Sequence, residues 1–144
     1  MTSIAIIGAG GRMGQTLVRC VVKDPGLKLA VAIDQEDHPA VLQDAGEVAE
    51  IDPVGVKVSS DLHSVSLADV IIDFTLASAT PANVQAAVRA GKPLVIGTTG
   101  LGDKEKALLQ EAAQKIPIVS APNMSLGVNL LFSLVKKASS VLGM

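Results

Sequence analysis

At 144 residues the chain has room for one domain, and its hydrophobic fraction of 49% supplies a buried core and excludes disorder. A net charge of -2 provides no basic field for nucleic acid, and no apolar run approaches the roughly 20 residues of a membrane span. With Cys20 the sole cysteine and no basic leader before the first apolar run, the expectation is a cytoplasmic protein without a disulfide, a nucleic-acid partner or a membrane contact.

Ser3–Gly8 is a short apolar run ending in glycine, which predicts a buried strand. Gly11–Lys23 predicts a helix with Met13, Leu17, Cys20 and Val21 on its core side, stopped by Pro25-Gly26. Leu27–Asp34 reads as a second strand. Gln35–Pro53 reads as a long loop with room for a short helix, and Val54–Ser59 as a third strand. Asp69–Thr75 is a fourth strand. Ser78–Pro81 then opens a helix that runs to Arg89 and ends at Gly91. Pro93–Gly97 is a fifth strand, Asp103–Lys115 an amphipathic helix, and Ile116–Ser120 a sixth strand. Leu126–Leu142 is a final helix with Val128, Leu131, Val135, Ala138 and Leu142 on one stripe. Its remaining apolar residues, Leu130, Phe132, Leu134 and Val141, lie off that stripe.

Strand and helix alternate throughout. Parallel strands need crossovers and helices supply them, so the expected fold is α/β: a doubly wound, Rossmann-like parallel sheet. Residues 1–127 would form the dinucleotide-binding domain, and 128–144 a helix leading out of it. Ligands of such sheets bind beyond the carboxyl ends of the strands.

The first of those ends reads Gly8-Ala9-Gly10-Gly11-Arg12-Met13-Gly14. Glycine permits a tight turn and close backbone approach to phosphate, and the following helix start offers unpaired N–H groups. The third glycine of the usual fingerprint would fall on Met13, so the triplet here is Gly8, Gly11 and Gly14. Alone, the turn also fits a tight connection without a ligand. Asp34 shifts the balance toward a dinucleotide. It ends the second strand about 20 residues on, where a carboxylate accepts hydrogen bonds from the adenosine ribose hydroxyls. Gln35 follows it with no cation, which favours NAD(H). Arg12 keeps NADP(H) open, since it either pairs with a 2′-phosphate or stays solvated. No metal-ligand spacing or nucleophile elbow is present. His38, His63, Glu47, Glu50, Asp61 and Asp69 read as ordinary surface residues.

With that turn, Asp73-Phe74-Thr75, Gly97-Thr98-Thr99-Gly100 and Ala121–Asn129 (APNMSLGVN) make the chain resemble the dihydrodipicolinate reductases, in order and spacing, from Ser3 to about Val135. The resemblance implies that Gly8, Ala9, Gly10, Gly11, Arg12 and Met13 bind the pyrophosphate, with Asp34 and Gln35 at the adenosine ribose. It implies that Gly97, Thr98 and Thr99 line the nicotinamide and its ribose. Phe74 and Thr75 would floor that pocket, and Ala121, Pro122, Asn123 and Met124 would close it. In side-chain terms, hydroxyls and amides at Thr98 and Thr99 could hold a carboxamide. The family reaction is hydride transfer from a reduced nicotinamide to an unsaturated ring dicarboxylate, a step of lysine and diaminopimelate synthesis. Where the family often carries Arg, this chain has Gln35. The family's paired histidines, nearby lysine and Ser-Gly-Thr substrate loop have no counterpart here, so no catalytic residue is expected in this chain. The family is homotetrameric, and the last helix is expected to make this chain self-associate. Two rival readings are a stand-alone NAD(H)-sensing module and a ligand-free Rossmann-like domain.

Overall fold

The computed structural model describes residues 1–143. Six strands form one sheet in the order β3-β2-β1-β4-β5-β6, every pairing parallel. They are β1 (Thr2–Ile7), β2 (Leu27–Ile33), β3 (Val58–Ser59), β4 (Val70–Asp73), β5 (Leu94–Ile96) and β6 (Ile118–Ser120). The helices are α1 (Arg12–Lys23), α2 (Ala45–Val48), α3 (Thr80–Ala90), α4 (Asp103–Ala112) and α5 (Leu126–Leu142). The doubly wound, Rossmann-like sheet read from the alternation of elements is the fold observed.

Side-chain alternation along β1 explains the layering. Ala5 and Ile7 join one core with Ile71, Val84, Leu94, Ile96 and Leu109, beneath α3 and α4. Ile4 and Ile6 join the other with Val18, Val21, Leu29 and Val58, beneath α1 and α2. Each such side chain, once fully buried, contributes about 1.5–3 kcal/mol relative to exposure. The crossovers switch sides of the sheet between β1 and β4, which opens a crevice at their carboxyl ends.

Several elements differ from the expectation. The third strand shrinks to Val58–Ser59 because Gly55 takes a left-handed φ of +75° and Asp44 accepts the N–H groups of Val54 and Gly55, curling the chain away from the sheet. The core face of α1 is Gly14, Val18 and Val21, while Met13 and Cys20 are exposed. The helix is rotated so that Gly14, which lacks a side chain, lies against the Gly8 carbonyl. A 3-10 helix, Leu62–Leu67, occupies a stretch with no element assigned to it, its first turn capped by Asp61 accepting from His63 N–H at 2.9 Å. Asp69, before β4, reaches across to β1 and accepts the Ser3 amide and hydroxyl at 2.8 and 2.6 Å. α5 keeps the expected bounds, Leu126–Leu142, and none of its residues is buried.

Candidate functional site

The turn after β1 is held open by the sheet. Gly8 and Ala9 donate their N–H groups to the Ile33 carbonyl at 2.8 and 2.9 Å. Gly8 adopts a φ of +85°, and Gly11 N–H closes the turn on the Gly8 carbonyl at 3.1 Å. A Cβ on Gly14 would strike the Gly8 carbonyl and lie 2.7 Å from Ala9 Cα. The first turn of α1 carries no acidic side chain and no side-chain cap, so its leading N–H groups keep their partial positive charge for an anion. Arg12 and Met13 extend from that turn and are exposed.

Asp34, half-buried just past β2, turns its carboxylate to the turn. Its Oδ2 accepts Gly10 N–H at 2.8 Å and its Oδ1 accepts Gln35 N–H at 2.9 Å. Gly10 is close-packed on its other side as well. A Cβ there would enter the His38 imidazole, 2.6 Å from Nδ1, and lie 2.9 Å from the Ala40 side chain. His38 Nδ1 accepts Ala40 N–H at 3.1 Å, which folds the loop after β2 onto the turn. His38 is therefore half-buried and part of the site, not the surface residue its polar context suggests; the bare Gly10 gives it a seat. The space-limited glycines are Gly8, Gly10 and Gly14, whereas Gly11 has ordinary clearance. His63 is exposed, as expected.

These groups border a cleft of about 380 Å³. It gathers Gly8, Gly11, Asp34, Gln35, Phe74 and Thr75, and adds His38, Ser60, Leu62, Leu76, Ser78, Ala79, Ala82 and Asn83. Apart from His38, in the loop after β2, the added residues come from the loops after β3 and β4 and from the start of α3. No sequence signal marked them, because only the sheet order brings those loops together. Leu76, 70% exposed at the rim, together with Leu62, Ala79 and Ala82, gives the cleft an apolar wall fit for a flat heteroaromatic ring.

On the other side of β1, the Phe74 ring lies on Gly97, where a Cβ would meet it 2.8 Å from Cε2. Thr98 is buried, and its hydroxyl donates inward to Asp73 at 3.5 Å while accepting Thr75 N–H at 3.2 Å. That hydroxyl is unavailable to a carboxamide; of the pair, Thr99 is the exposed one. Burial pushes the Asp73 carboxyl above the usual range, against hydrogen bonds from Thr75, Asn83 and Thr98 that lower it. Ala121 is half-buried, and Pro122, Asn123 and Met124 are exposed past β6. Asn123 Oδ1 accepts Ser125 N–H at 2.9 Å, and its carbonyl accepts Asn129 Nδ2 at 3.0 Å. Thr99 and Ala121–Met124 thus share the sheet edge with the cleft without lining it. Among the described residues no cluster of His, Cys, Asp and Glu could hold a metal ion, and no helix is long and apolar enough to cross a membrane.

Comparison with known proteins places this geometry. The family described as "Dihydrodipicolinate reductase, N-terminus" matches residues 2–124. The 4-hydroxy-tetrahydrodipicolinate reductase of Anaeromyxobacter dehalogenans is 46% identical over 99% of this chain and 53% of its own length. That of Syntrophotalea carbinolica is 44% identical over 99% and 54%. The chain thus spans about half the length of these curated relatives. A dipicolinate-bound dihydrodipicolinate reductase from Paenisporosarcina sp. superposes with a TM-score of 0.72 at 25% identity, over 96% of this chain and 54% of that one. A myo-inositol 2-dehydrogenase from Lactobacillus plantarum shares the fold at 19% identity, with a TM-score of 0.67, over 96% of this chain and 42% of that one.

Proposed function

The chain belongs to the family of dihydrodipicolinate reductase N-terminal regions, and from that premise we propose that it is the dinucleotide-binding part of a 4-hydroxy-tetrahydrodipicolinate reductase, acting in lysine and diaminopimelate synthesis. The observation that carries the reading is the bond between Asp34 and Gly10, which sets a sugar-binding carboxylate beside a diphosphate-binding turn.

A reduced nicotinamide dinucleotide supplies the hydride when bound. The residues of this chain hold and orient it. The backbone N–H groups of Arg12 and Met13 at the start of α1 would grip the diphosphate, with Gly8–Gly11 shaping the bend, and the cradle fits, because Gly8, Gly10 and Gly14 are packed so tightly that a side chain at any of them would displace the turn. The Asp34 carboxylate would accept from the adenosine ribose hydroxyls, with the adenine on the wall of Leu62, Leu76 and Ala79. The ring half would extend over Phe74, Thr75 and Gly97–Thr99 toward Ala121–Met124. Asp34 would repel a 2′-phosphate and Gln35 carries no charge, so NAD(H) is preferred; Arg12 is the one nearby cation on the turn able to admit NADP(H). Neither histidine stands at the ring end. His38 is on the adenosine side and His63 is exposed, so the chain alone binds cofactor without turning substrate over.

NADH fluorescence and calorimetric titration test this. Saturable binding with NADH favoured over NADPH is expected, and no response at millimolar NADH would sink it. The absence of a histidine at the ring end equally favours a second reading, an NAD(H)-sensing module without chemistry. Turnover restored by adding the C-terminal half of a relative would decide for the reductase.

Self-association through α5 belongs to the same proposal. Leu126, Leu130, Phe132 and Val141 are 90%, 61%, 59% and 78% exposed, so α5 is apolar and uncovered on more than one face. Light scattering at high concentration is expected to show dimers or larger; a strict monomer would count against it.

A further inference from the structure

Asp73 takes no part in the ligand contacts above, yet it is fully buried at the carboxyl end of β4, next to β5. A buried carboxylate costs several kcal/mol unless its oxygens are satisfied. Here they are satisfied by neutral donors. Oδ1 accepts Thr75 N–H at 3.0 Å, the Thr75 hydroxyl at 2.7 Å and the Thr98 hydroxyl at 3.5 Å. Oδ2 accepts Asn83 Nδ2 at 3.1 Å, and the same Nδ2 reaches Thr75 Oγ1 at 3.0 Å. One carboxylate thereby ties together the ends of β4 and β5 and the first turn of α3.

The arrangement dictates what the sheet edge offers a ligand. The hydroxyls of Thr75 and Thr98 are both turned inward. The Thr75 methyl faces the glycine turn, 3.1 Å from where a Cβ on Gly8 would stand. The adenosine half of the cleft lies toward β2, at Asp34. The β4–β5 junction lies across β1 from it, where the other half of the dinucleotide must run.

We infer that Asp73 is a positioning residue for the nicotinamide ring of the dinucleotide, holding Thr75 and Thr98 so that a methyl and backbone surface, not free hydroxyls, floors that ring. The inference rests on the dinucleotide reading above. A purely structural Asp73 would support both halves of the ligand equally; a positioning Asp73 acts on one.

The experiment uses the chain as it stands and two ligands, NADH and ADP-ribose, the second lacking the nicotinamide ring. Asp73→Asn keeps the shape and removes the second acceptor oxygen. It is expected to weaken NADH by about fivefold, to abolish the nicotinamide fluorescence change and to alter ADP-ribose affinity less than about twofold. If Asp73→Asn does not fold, Thr98→Val takes its place, retaining the shape while removing one donor to the carboxylate. A loss of about threefold confined to NADH is expected. Equal losses for both ligands, or none for either, would overturn the inference. So would a wild-type chain that binds both ligands equally with no ring fluorescence change, since no ordered ring would exist to position. Wild-type binding of neither ligand would instead sink the dinucleotide reading itself.

Discussion

The two ends of the cleft are built on one sheet edge, yet they are finished to different degrees. At the adenosine end, loops after β2, β3 and β4 face one another across the switch point. Asp34, His38 and Leu62 are each half-buried against a neighbour. At the ring end, Gly97 and Thr98 pack inward on Phe74 and Asp73, while Thr99, Pro122, Asn123 and Met124 are exposed. Val119 in β6 is 59% exposed, so even the strand leading there lies half outside the core. A motif supplies one surface of a site, and enclosure needs a second surface opposite it. Most of the binding free energy of a dinucleotide on this chain should therefore reside in its adenosine diphosphate half.

The largest effect expected strikes both ends at once. Gly14→Ala puts a Cβ against the Gly8 carbonyl, and backbone atoms cannot rotate away from it. A loss of about 3 kcal/mol is expected, read as a Tm lowered by roughly 10 °C, together with loss of affinity for both NADH and ADP-ribose. A variant of unchanged Tm would show that the turn is not braced by the α1–β1 approach. Asp34→Ala is next and should separate the ends. Stability should hold, because water can reach Gly10 N–H once the carboxylate is gone. Affinity for both ligands should fall together by about 2 kcal/mol, roughly thirtyfold, by calorimetry. If NADH fell and ADP-ribose did not, the adenosine assignment would be reversed.

The scaffold of the adenosine end has its own pH signature. Asp44 caps α2 and accepts N–H groups from Val54, Gly46 and Gly55, which hold its carboxyl below the usual range. A lowered native pKa stabilises the fold above the unfolded value, near pH 4, and that contribution is lost as pH falls through the native value. Asp69, held low by the Ser3 hydroxyl and amide, acts in the same direction. Asp73, raised by burial, acts oppositely; its share is present in acid and lost as pH rises through its native value. Asp44→Ala should cost about 1 kcal/mol at neutral pH, and the cost should shrink below pH ~4 in denaturant titrations. A cost independent of pH would assign the effect to packing.

The fold was legible because its elements are locally encoded. Apolar runs closed by glycine gave β1 and β5, and the apolar stripe of Val128, Leu131, Val135, Ala138 and Leu142 gave α5 with its bounds intact. The glycine turn and Asp34 were legible for the same reason, since a steric demand and a carboxylate at a strand end leave marks in sequence. What failed to show depended on rotation and on contacts between distant segments. The face of α1 was set by Gly14 meeting Gly8, not by the most apolar stripe. His38 joined the site only because Gly10, 28 residues earlier, leaves room for an imidazole. The inward turn of the Thr98 hydroxyl required the buried Asp73 of a neighbouring strand.

The smallest effect tests the open end. Asn123 spends its side-chain oxygen on Ser125 N–H and its carbonyl on Asn129, and both bonds are exposed. Exposed bonds of this kind are replaced by water at little cost, so Asn123→Ala should change stability by less than about 0.5 kcal/mol. With no opposing surface to seal the contact from water, a bond from Asn123 to the ring half should be weak as well. A loss below about threefold in NADH affinity is expected, with ADP-ribose unchanged. A tenfold loss would mean that the ring end closes around the ligand in solution, and the two ends would then differ only in the order in which they form.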